Sequence, residues 1–161
     1  MSNNALDEIL EFHWMMDMLQ TVDVGIVVLN RNFEIKVWNG FMEAHSGMLP
    51  NDVRDKTLFS LYPDISESWF RRKTKAVFEL RTRAFVTWEQ RPYLFKFRNF
   101  RPITGTEPFM YQNISLSALA SATGAIDHIC MMVYDMTDAA AAKKQLLSLQ
   151  VKQHETEHSS K

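Results

Sequence analysis

The chain is poor in residues that commit a protein to special chemistry. One cysteine, Cys130, among 161 residues excludes an intramolecular disulfide framework and a cysteine-built zinc cluster. With five glycines in all, no glycine-rich phosphate loop is present, and no internal repeat is found. The longest apolar runs, such as Ile129 to Tyr134, are too short to cross a bilayer. The opening MSNNALDEIL lacks the basic and apolar stretches of a secretory signal, so a cytoplasmic location is expected. Net charge is −1, and no global field draws the molecule onto nucleic acid. What is present is ordinary for a globular domain: 46% hydrophobic and 23% charged residues in 18.8 kDa, enough for one sizeable core.

Charge is placed unevenly. Residues 1–23 carry Asp7, Glu8, Glu11, Asp17 and Asp23 and no Lys or Arg. Residues 71–101 carry ten bases against Glu79 and Glu89. These bases alternate with apolar residues, as in a half-buried element facing water, so a nucleic-acid patch is not the favoured reading. The acidic N-terminal segment can lie near this basic region, within one chain or between two.

Residues 4–20 read as a helix with a wide apolar surface that wants two partners. Val24–Leu29 and Phe33–Trp38 form a β-hairpin about the Asn30-Arg31-Asn32 turn. A short helix over 40–47 closes at Gly47. Pro50–Tyr62 is helical, with Asn51 or Asp52 as cap, and Ser66–Arg83 is a longer helix presenting Trp69, Lys73, Ala76, Val77 and Leu80 on one side. Strands follow at Phe85–Gln90, with Tyr93–Arg98 alternating in the same stretch or the next strand. Arg101–Pro108 is a loop. The residues around Ile114, Leu116 and Ala118, and then Ile126–Asp135, read as the last strands. Ile126–Asp135 is apolar on both faces, so it is central and covered twice. Thr137, read as an N-cap, starts a final helix to about Gln153, with Ala139, Ala142, Leu146 and Leu149 at coiled-coil spacing.

This order is α+β. The stretch GIVVLNRNFEIKVWNGFMEAHSG, the segment LPNDVRDKTLFSLYP with Asp55 where a Gly is common, and Asp135-Met136-Thr137 together resemble the PAS sensory domain over residues 17–138. Met110–Leu116 followed by Ile129–Thr137 is similar to PAS modules that precede GGDEF diguanylate cyclase domains, although the GGDEF motif itself is absent from the chain. The resemblance implies a five-stranded antiparallel sheet with helices on one face. It divides the chain into a capping or dimerisation helix (1–20), a PAS domain (21–137), and a signalling helix with its tail (138–161). It implies a sensor that binds a small molecule or partner, dimerises through the flanking helices and outer sheet face, and relays a signal to an output such as a diguanylate cyclase.

Candidate cavity residues are Trp38, Asn39, Met42, His45, Phe59, Trp69, Trp88, Phe97, Gln112 and Met132, with the amides of Asn39 and Gln112 able to orient a ligand. The competing reading is that these side chains fill the core. Arg72, Arg98 and Arg101 are candidates to meet an anionic ligand. Asp135 and Thr137 form the signalling junction. No cofactor is identified. A flavin photoadduct is not supported, because Cys130 lies in a strand. Haem is not favoured, because the long helix carries no His and leaves only His13, His45 and His128 in the ordered region. Asp52 with Asp55, and Asp127 with His128, lack a third catalytic partner, so the chain reads as non-catalytic. Two alternatives stand beside the sensor: a ligand-free docking or dimerisation domain, and a small cone-shaped isomerase-like or dehydratase-like enzyme.

Overall fold

The computed structural model describes residues 2–99 and 107–159. In chain order the elements are α1 (Ser2–Thr21), β1 (Gly25–Asn30), β2 (Ile35–Trp38), α2 (Gly40–Ser46), α3 (Pro50–Val53), α4 (Leu58–Leu61), α5 (Glu67–Leu80), β3 (Ala84–Val86), β4 (Gln112–Ala120), β5 (Ile126–Asp135) and α6 (Thr137–Ser159). The strands form one antiparallel sheet in the order β2-β1-β5-β4-β3, with the first hairpin beside the last strand.

The central position of β5 follows from its sequence. Ile129, Met131 and Val133 are fully buried on the face covered by the helices. On the other face, the register sets Cys130 beside Val28 and Ser117, and Met132 beside Ile26 and Ser115. Cys130 is buried and Met132 and Tyr134 are half-buried there, and burial pushes the Cys130 thiol above its ordinary pKa.

Local chemistry sets the element ends. Gly47 takes the left-handed cap of α2 at φ 73°, the conformation glycine adopts without a Cβ penalty. Asp55, which stands where the resembled family commonly has glycine, takes the same region at φ 63°, an option open to Asp more than to most residues. Neither Asn51 nor Asp52 caps a helix. Leu49 precedes α3, with Pro50 in its first turn, where a missing N–H costs nothing. Thr57 caps α4. Ser66 caps α5 and Arg81 ends it in the left-handed region.

Several expected details are corrected. Phe33 does not open β2: its φ of 60° breaks the strand and turns its ring into the core at 3% exposure. The buried stripe of α5 is Phe70, Thr74, Val77 and Phe78, and Leu80 is 70% exposed. β3 ends at Val86 because the chain turns at Thr87, whose carbonyl accepts from the N–H groups of Gln90 and Arg91. Tyr93–Arg98 is not a strand: Leu94, Phe95 and Phe97 are all buried, which alternation would not allow. The helix α6 runs on to Ser159. Of the loop 101–108, only Glu107 and Pro108 lie within the described residues.

Candidate functional site

Two buried amides organise the interior. Asn39 Oδ1 accepts from the N–H of Ile26 (2.9 Å) and of Met42 (3.4 Å), and its Nδ2 donates to the carbonyls of Leu19 (2.9 Å) and Val24 (2.8 Å). One side chain thus joins the end of α1, the start of β1 and the first turn of α2. Gly40 beside it permits the same junction, since a Cβ there would stand 2.2 Å from the Gln20 carbonyl oxygen.

Gln112, the first residue of β4, plays the matching part at the other end. Its Oε1 accepts from the N–H of Leu94 and of Phe95, both at 3.0 Å, and its Nε2 donates to the Phe95 carbonyl at 2.7 Å. These bonds satisfy a buried, non-ladder backbone that would otherwise be costly. Both amides are therefore occupied by the chain itself rather than presented to a ligand.

Phe95, held in this way, sits in a wall of aromatic rings. Tyr62 meets it edge-on at 4.9 Å and Trp38 at 6.1 Å. Phe97 stacks on it at 5.5 Å, and His45 stacks on Phe97 at 5.9 Å and lies 4.3 Å from Phe41. Trp38 Nε1 donates to the Met48 carbonyl at 3.2 Å. Burial lowers the His45 pKa, while Asp135 and Asp23 pull it upward. Burial also drives the Tyr62 phenol up to about 12.

The structure brings Trp38, Asn39, Met42, His45, Phe97 and Gln112 into or beside this wall. It places the other candidates elsewhere. Phe59 and Trp69 belong to a second cluster about Phe33 and Phe70. Met132 lies on the outer sheet face. Trp88 packs edge-on against Tyr111 at 5.6 Å, beneath the start of α6. Arg72 lies on α5 and Arg98 pairs with Phe109, while Arg101 falls outside the described residues.

The junction is denser than its two expected residues. Thr137 is not the helix cap. Asp135 Oδ1 accepts from the Thr137 backbone N–H (3.0 Å) and hydroxyl (2.6 Å), which ties the first residue of α6 to the end of β5. The Thr137 hydroxyl in turn accepts from the Tyr111 N–H (3.1 Å), and the Met136 N–H donates to the Tyr111 carbonyl (2.7 Å).

Two turns further along α6, Lys144 donates to Glu107 (3.0 Å) and to the Tyr111 hydroxyl, and its ammonium lies over the Tyr111 ring. That hydroxyl donates to the other Glu107 oxygen at 3.0 Å. The Lys144 contact holds the Glu107 carboxyl below its ordinary range. Lys143 pairs with Glu89 at 3.1 Å and lies over Trp88. Sequence reasoning missed Tyr62, Phe95, Tyr111, Glu107, Lys143 and Lys144. Only the adjacent lysines of α6, following an alanine run, hinted at a contact with an acidic or aromatic surface.

Tyr111 immediately precedes Gln112, the first residue of β4. Tyr111 holds the exit helix and Gln112 holds the aromatic wall. The backbone between these two residues therefore links the aromatic wall to α6. Among the described residues, no group of three or more His, Cys, Asp or Glu side chains is placed to hold a metal ion, and no helix is long and apolar enough to cross a membrane.

No protein-family model matches the chain, and no curated protein does. Solved structures do. The chain superposes on a sensory box sensor histidine kinase from Vibrio cholerae with a TM-score of 0.55 and 25% identity, over 83% of this chain and 96% of that one. It superposes on the PAS domain of BvgS from Bordetella pertussis with a TM-score of 0.55 and 14% identity, over 88% of this chain and 98% of that one. An RNA-binding Light-Oxygen-Voltage receptor matches at a TM-score of 0.58 and 16% identity, over 91% of this chain but 38% of that one. The fold is PAS-like, as the ordered motifs implied.

Proposed function

We propose that the chain is a sensory PAS module that passes a conformational signal through α6 to an output domain and performs no chemistry of its own. The observation that carries this reading is the double attachment at the entry to β4: Gln112 grips the Leu94–Phe95 backbone while Tyr111, the residue before it, grips Thr137 and Lys144. An input that favours one packing of the wall shifts the population of exit-helix states by its differential affinity for them.

The output proposed is a diguanylate cyclase, on the Met110–Leu116 and Ile129–Thr137 likeness. A GGDEF motif in a domain encoded with this chain supports it, and a kinase core in that place overturns it. The setting proposed is the cytoplasm.

The module acts as a homodimer. On α6, Leu146 and Leu149 are 59% and 52% exposed, and α1 exposes Leu6, Ile9, Phe12 and Trp14. A second copy would bury these faces together with the outer sheet face. Size-exclusion chromatography with light scattering should give a dimer at micromolar concentration, and a strict monomer sinks this part.

The relay is tested with Gln112→Ala. Amide hydrogen exchange in residues 138–144 should rise while the far-ultraviolet circular dichroism is unchanged. Unaltered exchange there removes the relay. The occupied amides of Asn39 and Gln112 favour a second reading of the input, in which a partner protein rather than a polar small molecule moves the wall. Native mass spectrometry separates the two, since a retained small molecule supports ligand sensing.

A further inference from the structure

On the opposite side of the body from the β4 junction residues, the β1–β2 turn and α5 enclose a cleft of about 360 Å³. Four cationic side chains line it, Arg31, Arg71, Arg72 and Lys75, against one acid, Glu79. Its floor is Phe33 and Phe78, whose ring centroids are 6.2 Å apart.

The two guanidinium groups are already in place. Arg31 lies over the Phe78 ring at 5.0 Å, and its Nε donates to the Ile126 carbonyl at 3.0 Å. Arg71 lies over the Phe33 ring at 4.9 Å and is steadied by Glu67 at 2.7 Å. A stacked guanidinium uses its face for the ring and keeps N–H edges for an oxyanion, and the ordering that recognition normally requires is already done. Arg72 and Lys75 have no ion-pair partner among the described residues. Arg31 lies 3.8 Å from Asp127 and Arg71 is paired with Glu67, so Arg72 and Lys75 are the two cations of the cleft whose mutual repulsion an incoming anion would offset.

The floor narrows the ligand class. Phe33 and Phe78 are 3% and 9% exposed, so little apolar surface is left to recognise a hydrophobic body, and charge dominates. A lone carboxylate satisfies one guanidinium fork, whereas a doubly charged phosphate has three oxygens to share among several donors. We propose that this cleft binds a small phosphate-bearing molecule, a phosphomonoester or a diphosphate. The site is independent of the aromatic wall, but it is not isolated from the exit helix: Arg31 holds the first residue of β5, the strand that ends at Asp135.

The probe is inorganic pyrophosphate, titrated calorimetrically into the full chain at moderate salt. Saturable binding at one site per chain is expected. The double variant Arg72→Gln/Lys75→Gln should weaken it by about tenfold or more with an unchanged urea midpoint. The charge-matched control Arg54→Gln/Lys152→Gln should stay within about twofold. In the unaltered protein, amide resonances of Phe33, Arg72, Thr74 and Lys75 should move on titration. Heat that does not saturate, equal weakening in both double variants, or resonance shifts confined to other regions overturns the site. Affinity that climbs with the length of a single-stranded oligonucleotide overturns the small-ligand assignment in favour of a nucleic-acid track.

Discussion

Trp38 is 2% exposed in the aromatic wall, whereas Trp14 on α1 is 61% exposed. Met42 and Met131 are fully buried in the body, whereas Met15 and Met18 are 51% and 56% exposed on the same helix as Trp14. The body and the two flanking helices thus use the same residue types to opposite ends. In the body, the large side chains of the core meet one another within the chain, and burial of each contributes about 1.5–3 kcal/mol. On α1 and the distal part of α6, that gain is left unrealised in a single chain. The contrast sets a body whose apolar surface is covered within one chain against helices whose exposed apolar surface the proposed second copy would cover.

The largest effect should come from attacking both sides of that contrast at once. Phe95→Ala removes the ring shared by Tyr62, Trp38 and Phe97 and should lower the unfolding free energy by about 3–5 kcal/mol in urea titrations. Trp14→Ala, measured at dilution where the chain is monomeric, should change it by less than about 0.5 kcal/mol. Comparable losses would mean that α1 belongs to the body after all. Next in size is Leu146→Glu with Leu149→Glu, which should weaken self-association by about tenfold or more, seen in sedimentation equilibrium, with little change in the urea midpoint of the monomer. A fall in that midpoint instead would place those residues inside the body's cooperative unit.

The same contrast explains what could be read from the sequence. The hairpin, Gly47, the central β5 and the antiparallel order were legible because each rests on local turn chemistry, on alternation, or on a strand apolar on both faces. The buried stripe of α5 was not. Thr74 looks polar in sequence, yet its hydroxyl donates to the Phe70 carbonyl at 2.9 Å and conceals that polarity, which shifts the true stripe off Leu80. Tyr93–Arg98 alternates like a strand, but its backbone is satisfied by a side chain eighteen residues away from Leu94, that of Gln112. Long-range satisfaction of this kind leaves no periodic trace. The candidate site was half legible: of the ten residues, the apolar Trp38, Met42 and Phe97 and the polar Asn39, His45 and Gln112 lie in or beside the wall, whereas Tyr111 and Lys144 matter through contacts made only in the fold.

A smaller effect separates the two functions at the junction. Thr137→Val keeps the size of the side chain but removes the hydroxyl bonded to both Asp135 and Tyr111. It should cost about 1 kcal/mol of global stability and should increase hydrogen exchange at Tyr111 and in the first turn of α6. Thr137→Ser should restore protection, because the hydroxyl rather than the methyl makes the link. If Val and Ser behave alike, the junction is held by packing and the bonded route is not what couples it.

The smallest effects come from acidification, and they fall in different pH windows for the body and for the helix. His45 in the wall has a folded pKa below its ordinary 6.5, chiefly through burial. The unfolded chain therefore binds the proton first, and the body should lose stability as pH falls through 6.5 toward the lowered value. Glu107, beside α6, has a folded pKa below its ordinary 4.5, chiefly through the Lys144 hydrogen bond. Its contribution is present above 4.5 and is lost only as pH falls through the folded value. Between pH 7 and 5, urea midpoints should decline while the Lys144 tie, followed by exchange in residues 138–144, stays protected. His45→Gln should flatten the first decline, and Glu107→Gln should expose the helix turn at neutral pH. A helix that loosens together with the body near pH 6 would show that wall and rod respond as one unit, with His45 lying on the route between them.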